Sequence, residues 1–178
     1  MISARFRELA LSPNARLEAI LRASNGPALP AIIGSEWCGW NTPAFARLLG
    51  IQKFIKGFFQ GPALVEGYNT PALQNGIDGP WLARPNPDTP RRFGFYTMTS
   101  ADQSATDHLY PGTILLDYGA SRRNKTGQIE RALRDYLVQP DPANPDLLLG
   151  KAYFALASLR IPSSFFILER SPTAAWKP

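Results

Sequence analysis

The sequence is poor in the residues that build disulfides and metal centres. It contains one cysteine, Cys38, and one histidine, His108. One cysteine cannot form an internal disulfide, and one cysteine with one histidine argues against a metal site of the usual His and Cys kind. The sequence therefore predicts no metal and no cofactor.

Long apolar runs and clustered charge are also missing. No window approaches the roughly 18 apolar residues that span a bilayer, and residues 1 to 20 lack a secretion signal. The net charge is +5, but the basic residues are scattered, and "RRFGFYTMT" only echoes an RNA-binding pattern. These features predict a cytoplasmic protein with no membrane span and no nucleic-acid partner.

Proline and glycine are abundant and indicate many short elements. The chain has 17 prolines and 14 glycines in 178 residues, a length that suits one domain. Residues 3–11 and 14–23 have helical spacing, with Ser12 as N-cap and Pro13 at the first position of the second helix. The sequence predicts an N-terminal helical segment over 1–26 and a single β domain over 27–178.

Short apolar runs separated by turn residues follow this segment. Eight such runs are typical of a barrel or sandwich, and they cover 31–39, 51–59, 63–68, 79–84, 92–99, 112–118, 147–154 and 163–169. In "GQIERALRDYLV", the apolar residues Ile129, Leu133, Tyr136 and Leu137 recur at helical spacing. This spacing predicts one inserted helix over 127–138 in a mainly β fold.

The stretches "LPAIIGSEWCGW", "KFIKGFFQG", "LLLGKAYF" and "FFILER" resemble the uncharacterised lipocalin-like (calycin) bacterial proteins of the GXWXG type. The resemblance implies an antiparallel barrel of about eight strands. In lipocalins a basic residue near the barrel's end packs over the tryptophan of the first strand, and the matching positions here are Trp37 and Arg170. Trp37 would then be a structural plug at the closed end, and Trp40 would be free for another role.

Few residues are candidates for chemistry. His108 follows Asp107 and precedes Tyr110, which could supply an orienting carboxylate and a phenol. The alternative is an ordinary loop histidine, because nothing in the spacing requires a triad. Cys38 has no neighbouring cation to activate it, and the sequence contains no phosphate-binding loop and no G-x-S-x-G motif.

Charged residues inside apolar strands are more informative. Asp117 lies in "TILLDYG" and Lys151 in "LLLGKAYF", and a buried charge must be paired or must contact a ligand. Lys151 shares a strand face with Tyr153, so an inward Lys151 paired with Asp117 would make a polar spot in an apolar interior. A surface lysine beside a sheet edge is the alternative.

Aromatic residues exceed what filling a core requires, which is compatible with a lined cavity. We expect a barrel interior that binds a small hydrophobic molecule, lined by Trp40, Phe54, Phe58, Tyr68, Trp81, Phe95, Tyr118 and Tyr153. The alternative is a cofactor-independent isomerase or cyclase in the same cavity, with Asp117, Lys151 and His108 as acid or base. A structural or interaction protein is a third hypothesis, and the sequence leaves a homodimer open.

Overall fold

Eight antiparallel strands form one closed barrel in which each strand pairs with its neighbours in sequence and β1 pairs with β8. The computed structural model describes residues 2–176, apart from the side chain of Ala44. The strands are β1 (Ser35–Asn41), β2 (Lys53–Gln60), β3 (Val65–Pro71), β4 (Phe93–Ser100), β5 (Ile114–Asp117), β6 (Leu133–Val138), β7 (Leu147–Leu156) and β8 (Leu159–Ala174). The helices are α1 (Ala4–Ala10), α2 (Asn14–Ala23), α3 (Leu29–Ile32) and α4 (Ala44–Leu48), with 3-10 turns at Ala101–Gln103 and Ile129–Ala132. The predicted mainly β barrel with N-terminal helices is confirmed.

Two of the sequence predictions about elements are wrong. Residues 127–138 do not form a helix, because a 3-10 turn is followed by strand β6 over Leu133–Val138. The predicted strand over 79–84 is instead part of the long loop between β3 and β4. The barrel still has eight strands, because β6 takes the place of that predicted strand in the total. In α2, Pro13 takes the N-cap position, and the Ser12 hydroxyl donates to the Glu8 carbonyl.

Both faces of the sheet are buried, which explains the continuous apolar runs. The lumen contains one apolar cluster, which includes Trp37, Phe58, Tyr96 and Leu137. A second cluster lies outside the barrel, where Phe6 and Leu17 of the N-terminal helices cover the outer faces of β6, β7 and β8. In β8, the segment from Phe165 to Leu168 is buried on both faces.

The two ends of the barrel differ. At one end, α3 inserts Ile32 against Trp37, and the Trp37 indole nitrogen donates to the Ile32 carbonyl at 3.4 Å. The other end is bounded by the β1–β2, β3–β4, β5–β6 and β7–β8 connections and is called the mouth here. None of the helices within residues 2–176 is both long and apolar enough to cross a membrane.

Candidate functional site

A group of polar side chains meets inside the barrel, well away from its surface. Along β2, Phe54, Lys56 and Phe58 alternate with residues on the outer face, so Lys56 faces the lumen between two aromatic rings. Asp135 lies on the lumen face of β6 between Leu133 and Leu137. Because β2 and β6 are not neighbours in the sheet, these two side chains meet across the lumen.

The lumen polar cluster consists of Lys56, Asn69, Tyr118 and Asp135. The Lys56 ammonium donates to Asn69 Oδ1 at 3.0 Å, to Tyr118 Oη at 2.7 Å and to Asp135 Oδ2 at 3.1 Å. The Tyr118 hydroxyl donates to Asp135 Oδ2 at 2.8 Å. The Asn69 amide nitrogen donates to the Gly94 carbonyl at 3.0 Å and to Tyr118 Oη at 3.3 Å. The cluster therefore ties four strands together across the lumen.

Aromatic rings surround the Lys56 ammonium. Its nitrogen lies 4.6 Å from the centroid of the Tyr96 ring and 5.2 Å from that of Phe166. Burial lowers the pKa of Lys56 from its ordinary value, although the charge of Asp135 opposes this shift. Burial also raises the pKa of Tyr118 well above its ordinary value, so the Tyr118 hydroxyl keeps its proton at neutral pH.

One oxygen of the cluster has no partner. Asp135 Oδ2 accepts two hydrogen bonds, whereas Asp135 Oδ1 is buried and accepts none from any residue in the range 2–176. A buried carboxylate oxygen without a donor is unfavourable by roughly 1–3 kcal/mol or more. This oxygen therefore has unused acceptor capacity.

Apolar side chains lie between the lumen polar cluster and the mouth. Phe54 precedes Lys56 by two residues on β2, and Leu133 precedes Asp135 by two residues on β6. Phe154 pairs with Leu133 across β6 and β7, and all three side chains are half-buried. These three side chains form an apolar ring on the mouth side of the polar cluster. A two-residue step along a strand is about 7 Å, so the polar cluster lies about that far from the apolar ring.

The closed end is filled and has a structural role. The Arg170 guanidinium carbon lies 4.5 Å from the centroid of the Trp37 ring, as the resemblance implied. Arg170 also donates to the Ala31 carbonyl at 2.7 Å and to Asp146 Oδ1 at 2.5 Å. From Trp37 toward the mouth, aromatic rings pack against one another. The centroid of the Phe58 ring lies 5.9 Å from that of Trp37 and 6.2 Å from that of Tyr96. Any ligand space inside the barrel therefore lies toward the mouth.

Only some of the residues predicted to line the lumen face it. Phe54, Phe58 and Tyr118 do so. The others lie outside the barrel and do not form the predicted lining: Trp40, Tyr68, Trp81, Phe95 and Tyr153. Trp81 lies in the β3–β4 loop. For the four strand residues, the physical reason is that both faces of their strands are apolar, so alternation alone does not show which face points inward.

The predicted pair of Lys151 and Asp117 is not formed. Lys151 lies on the outer face of β7 and donates to Glu18 Oε2 at 2.6 Å and to Tyr110 Oη at 2.9 Å. Burial alone would lower the pKa of Lys151, but these hydrogen bonds raise it above its ordinary value. Asp117 is paired instead with Arg134 at 3.0 Å.

His108 is an exposed loop residue whose Nδ1 lies 3.2 Å from the Ser104 carbonyl oxygen. Its neighbour Asp107 is paired with Arg134 and Arg160 and does not orient the imidazole. The structure therefore does not bring His108, Lys151 and Asp117 together in one site.

The sequence contained a signal for the residues that were missed. Lys56 stands in "KFIKGFF", a charge within an apolar strand of the same kind that singled out Asp117 and Lys151. Asp135 was hidden because its segment was interpreted as a helix, in which its side chain would face solvent. The partnership across the lumen is a tertiary contact that no local pattern shows.

Comparison with known proteins gives no relative. No protein-family model, no curated protein and no solved structure matches this chain.

Proposed function

We propose that the barrel binds a small, largely apolar molecule at its mouth, with the polar end of that molecule at the lumen polar cluster. The observation that carries the proposal is the buried, unpartnered Asp135 Oδ1 about 7 Å below an apolar ring. An apolar space with a few convergent polar groups is the usual design of a small-molecule site. The proposal includes membership of the lipocalin-like proteins and a cytoplasmic location.

The distribution of exposed apolar residues supports access through the mouth. Across residues 2–176, 12 large apolar side chains are exposed, and nine of them lie on or beside connections at the mouth. These nine are Phe45, Leu48, Leu49, Ile51, Leu82, Ile129, Leu156, Leu159 and Ile161. A concentration of exposed apolar surface marks a place where apolar partners bind.

A titration with N-phenyl-1-naphthylamine tests the proposal. This neutral fluorescent probe has an apolar body and one N–H donor, and we expect a saturable fluorescence increase at one site. Phe154→Glu places a charge in the apolar ring and should weaken binding at least tenfold. Leu11→Glu is the matched control, because Leu11 is exposed at the end of α1. The absence of saturable binding, or equal binding by the two variants, would contradict the proposal.

The alternative is a cofactor-independent isomerase or cyclase acting on an apolar molecule in the same place. One observation favours it: Lys56, whose pKa is lowered by burial, contacts both a phenol and a carboxylate, the components of acid and base chemistry. Terpenoids and polyketides incubated with the protein would show new products by mass spectrometry. Lys56→Met should then abolish product formation, and a folded Lys56→Met variant with unchanged turnover would exclude this chemistry.

A further inference from the structure

The lumen polar cluster has a free hydrogen-bond acceptor but no free donor. The three protons of the Lys56 ammonium go to Asn69, Tyr118 and Asp135. The Tyr118 proton goes to Asp135, and the Asn69 amide donates to Gly94 and Tyr118. Every donor of the cluster is therefore used within residues 2–176, while Asp135 Oδ1 remains a free acceptor. A lysine alone would suggest an acidic ligand, but this lysine has no proton to offer.

We infer that the barrel selects a neutral apolar ligand whose polar end is a hydrogen-bond donor, such as a primary alcohol or an N–H group, and rejects the corresponding carboxylic acid. This inference rests on the proposed function and specifies the class of ligand. A hydroxyl or N–H donates to Asp135 Oδ1 and removes the unfavourable state of that buried oxygen.

An ionised acid meets the opposite situation. Its carboxylate would lie next to Asp135 Oδ1 in a buried space, where like charges repel and no donor is free to replace lost hydration. Lys56 does not compensate, because its charge is already paired with Asp135 at 3.1 Å. Discrimination then comes from an unfavourable contact with the wrong ligand as much as from a favourable contact with the right one.

Decan-1-ol and decanoate test the inference because they share one apolar chain and differ at the end group. Each is used to displace N-phenyl-1-naphthylamine from the full chain at pH 8, where decanoate is ionised. We expect decan-1-ol to displace the probe at a concentration at least tenfold lower than decanoate does. Asp135→Asn should reduce this preference to threefold or less, because the asparagine amide offers a donor as well as an acceptor.

Asp117→Asn is the matched control, since it makes the same change on the outer face of β5, and it should keep the full preference. Loss of Asp135 leaves Lys56 without a counterion, so Lys56→Met/Asp135→Leu provides a second variant with neither charge. This double variant should also lose the preference for the alcohol.

The outcomes separate the inference from the proposed function. If decanoate displaces the probe as well as decan-1-ol does, or if neither displaces a bound probe, the ligand class is wrong and the binding function stands. If Asp135→Asn keeps the tenfold preference, Asp135 does not set it and the inference is overturned. If the probe itself does not bind, both fail.

Discussion

At the scale of single residues, the most demanding feature is an ion pair with almost no solvent contact. The side chains of Lys56 and Asp135 are 2% and 4% exposed. Taking two charges out of water is expensive, and their attraction offsets the expense only when both are present and hydrogen-bonded. Stability should therefore depend on the pair and not on either residue alone.

The first prediction compares variants that lack one or both charges of the Lys56–Asp135 pair. Lys56→Met leaves Asp135 buried and unpaired, and we expect the free energy of unfolding to fall by about 3–5 kcal/mol. Lys56→Met/Asp135→Leu should recover most of this loss, because no lone charge remains. Urea unfolding of the wild type and both variants measures the difference. A double variant that is no more stable than Lys56→Met would show that the pair is not coupled.

The second prediction concerns the thiol of Cys38. Burial raises its pKa from 9.0 to about 11, so the thiolate fraction at pH 8 is about 100-fold lower in the folded protein. Reaction with a disulfide reagent at pH 8 should be slower than in urea by at least this factor. Because the folded pKa is the higher one, Cys38 stabilises the fold below pH 9.0 and loses that effect as the pH rises toward 11. Equal reaction rates in both conditions would contradict the burial of the thiol.

At the scale of elements, one lysine holds the long β3–β4 loop against the barrel. The Lys53 ammonium lies 3.8 Å from the centroid of the Trp81 ring. It also lies within 2.6 to 3.2 Å of four loop oxygens, those of Asn75, Gly76, Gly79 and Pro80. The Lys53 ammonium is therefore a shared donor for the part of the loop from Asn75 to Pro80.

The third prediction follows from this anchor. Lys53→Met leaves several carbonyl oxygens without a donor, so the loop should detach while the barrel stays folded. Limited proteolysis should then cut within residues 72–92 at least tenfold faster than in the wild type, with unchanged far-ultraviolet circular dichroism. Lys125→Met, at an exposed lysine, is the control and should cut at the wild-type rate. Equal cleavage of both variants would show that Lys53 is not the anchor.

Most elements could be predicted from the sequence, and the exceptions have one physical cause. Helices α1 and α2 and seven strands follow from local spacing, because each buries one clear face or is bounded by turn residues. Strand β6 could not be predicted, since both of its faces are buried and "LRDYLV" fits helical spacing as well as alternation. Its strand conformation is set by pairing with β5 and β7, which lie elsewhere in the sequence.

The candidate site was less predictable than the fold. Phe54, Phe58 and Tyr118 were assigned correctly to the lumen, but an aromatic strand face gives no sign of inside or outside. An inward Lys151 was one of two hypotheses, because Lys151 shares a face with Tyr153, and that face is covered by α2 instead. The sequence thus predicted that a charged residue would lie within an apolar space. Which charged residue this is depends on how the sheet closes into a barrel.

At the scale of the whole molecule, two apolar layers share one sheet. The lumen layer stabilises the closed end, and the outer layer needs the N-terminal helices to cover it. Leu17 and Leu21 of α2 are fully buried in the outer layer, whereas Leu11 is 71% exposed. The helices are therefore part of the folded unit.

The fourth prediction tests this dependence. Leu17→Ala and Leu21→Ala should each lower the free energy of unfolding by about 2–5 kcal/mol, because each leaves a cavity between α2 and the barrel. Leu11→Ala should change it by less than about 0.5 kcal/mol. Urea unfolding measures all three. Small losses at Leu17 and Leu21 would mean that the helices do not complete the outer layer.

The central claim is that a ligand binds between the mouth and the lumen polar cluster. A titration of the ¹⁵N-labelled protein with N-phenyl-1-naphthylamine, followed by amide chemical shifts, tests it most directly. The account predicts saturable shifts concentrated at Phe54, Leu133, Asp135 and Phe154, with little change at Cys38 or Trp81 on the outer face. Saturable shifts confined to the outer face, or no saturable shift at all, would contradict it.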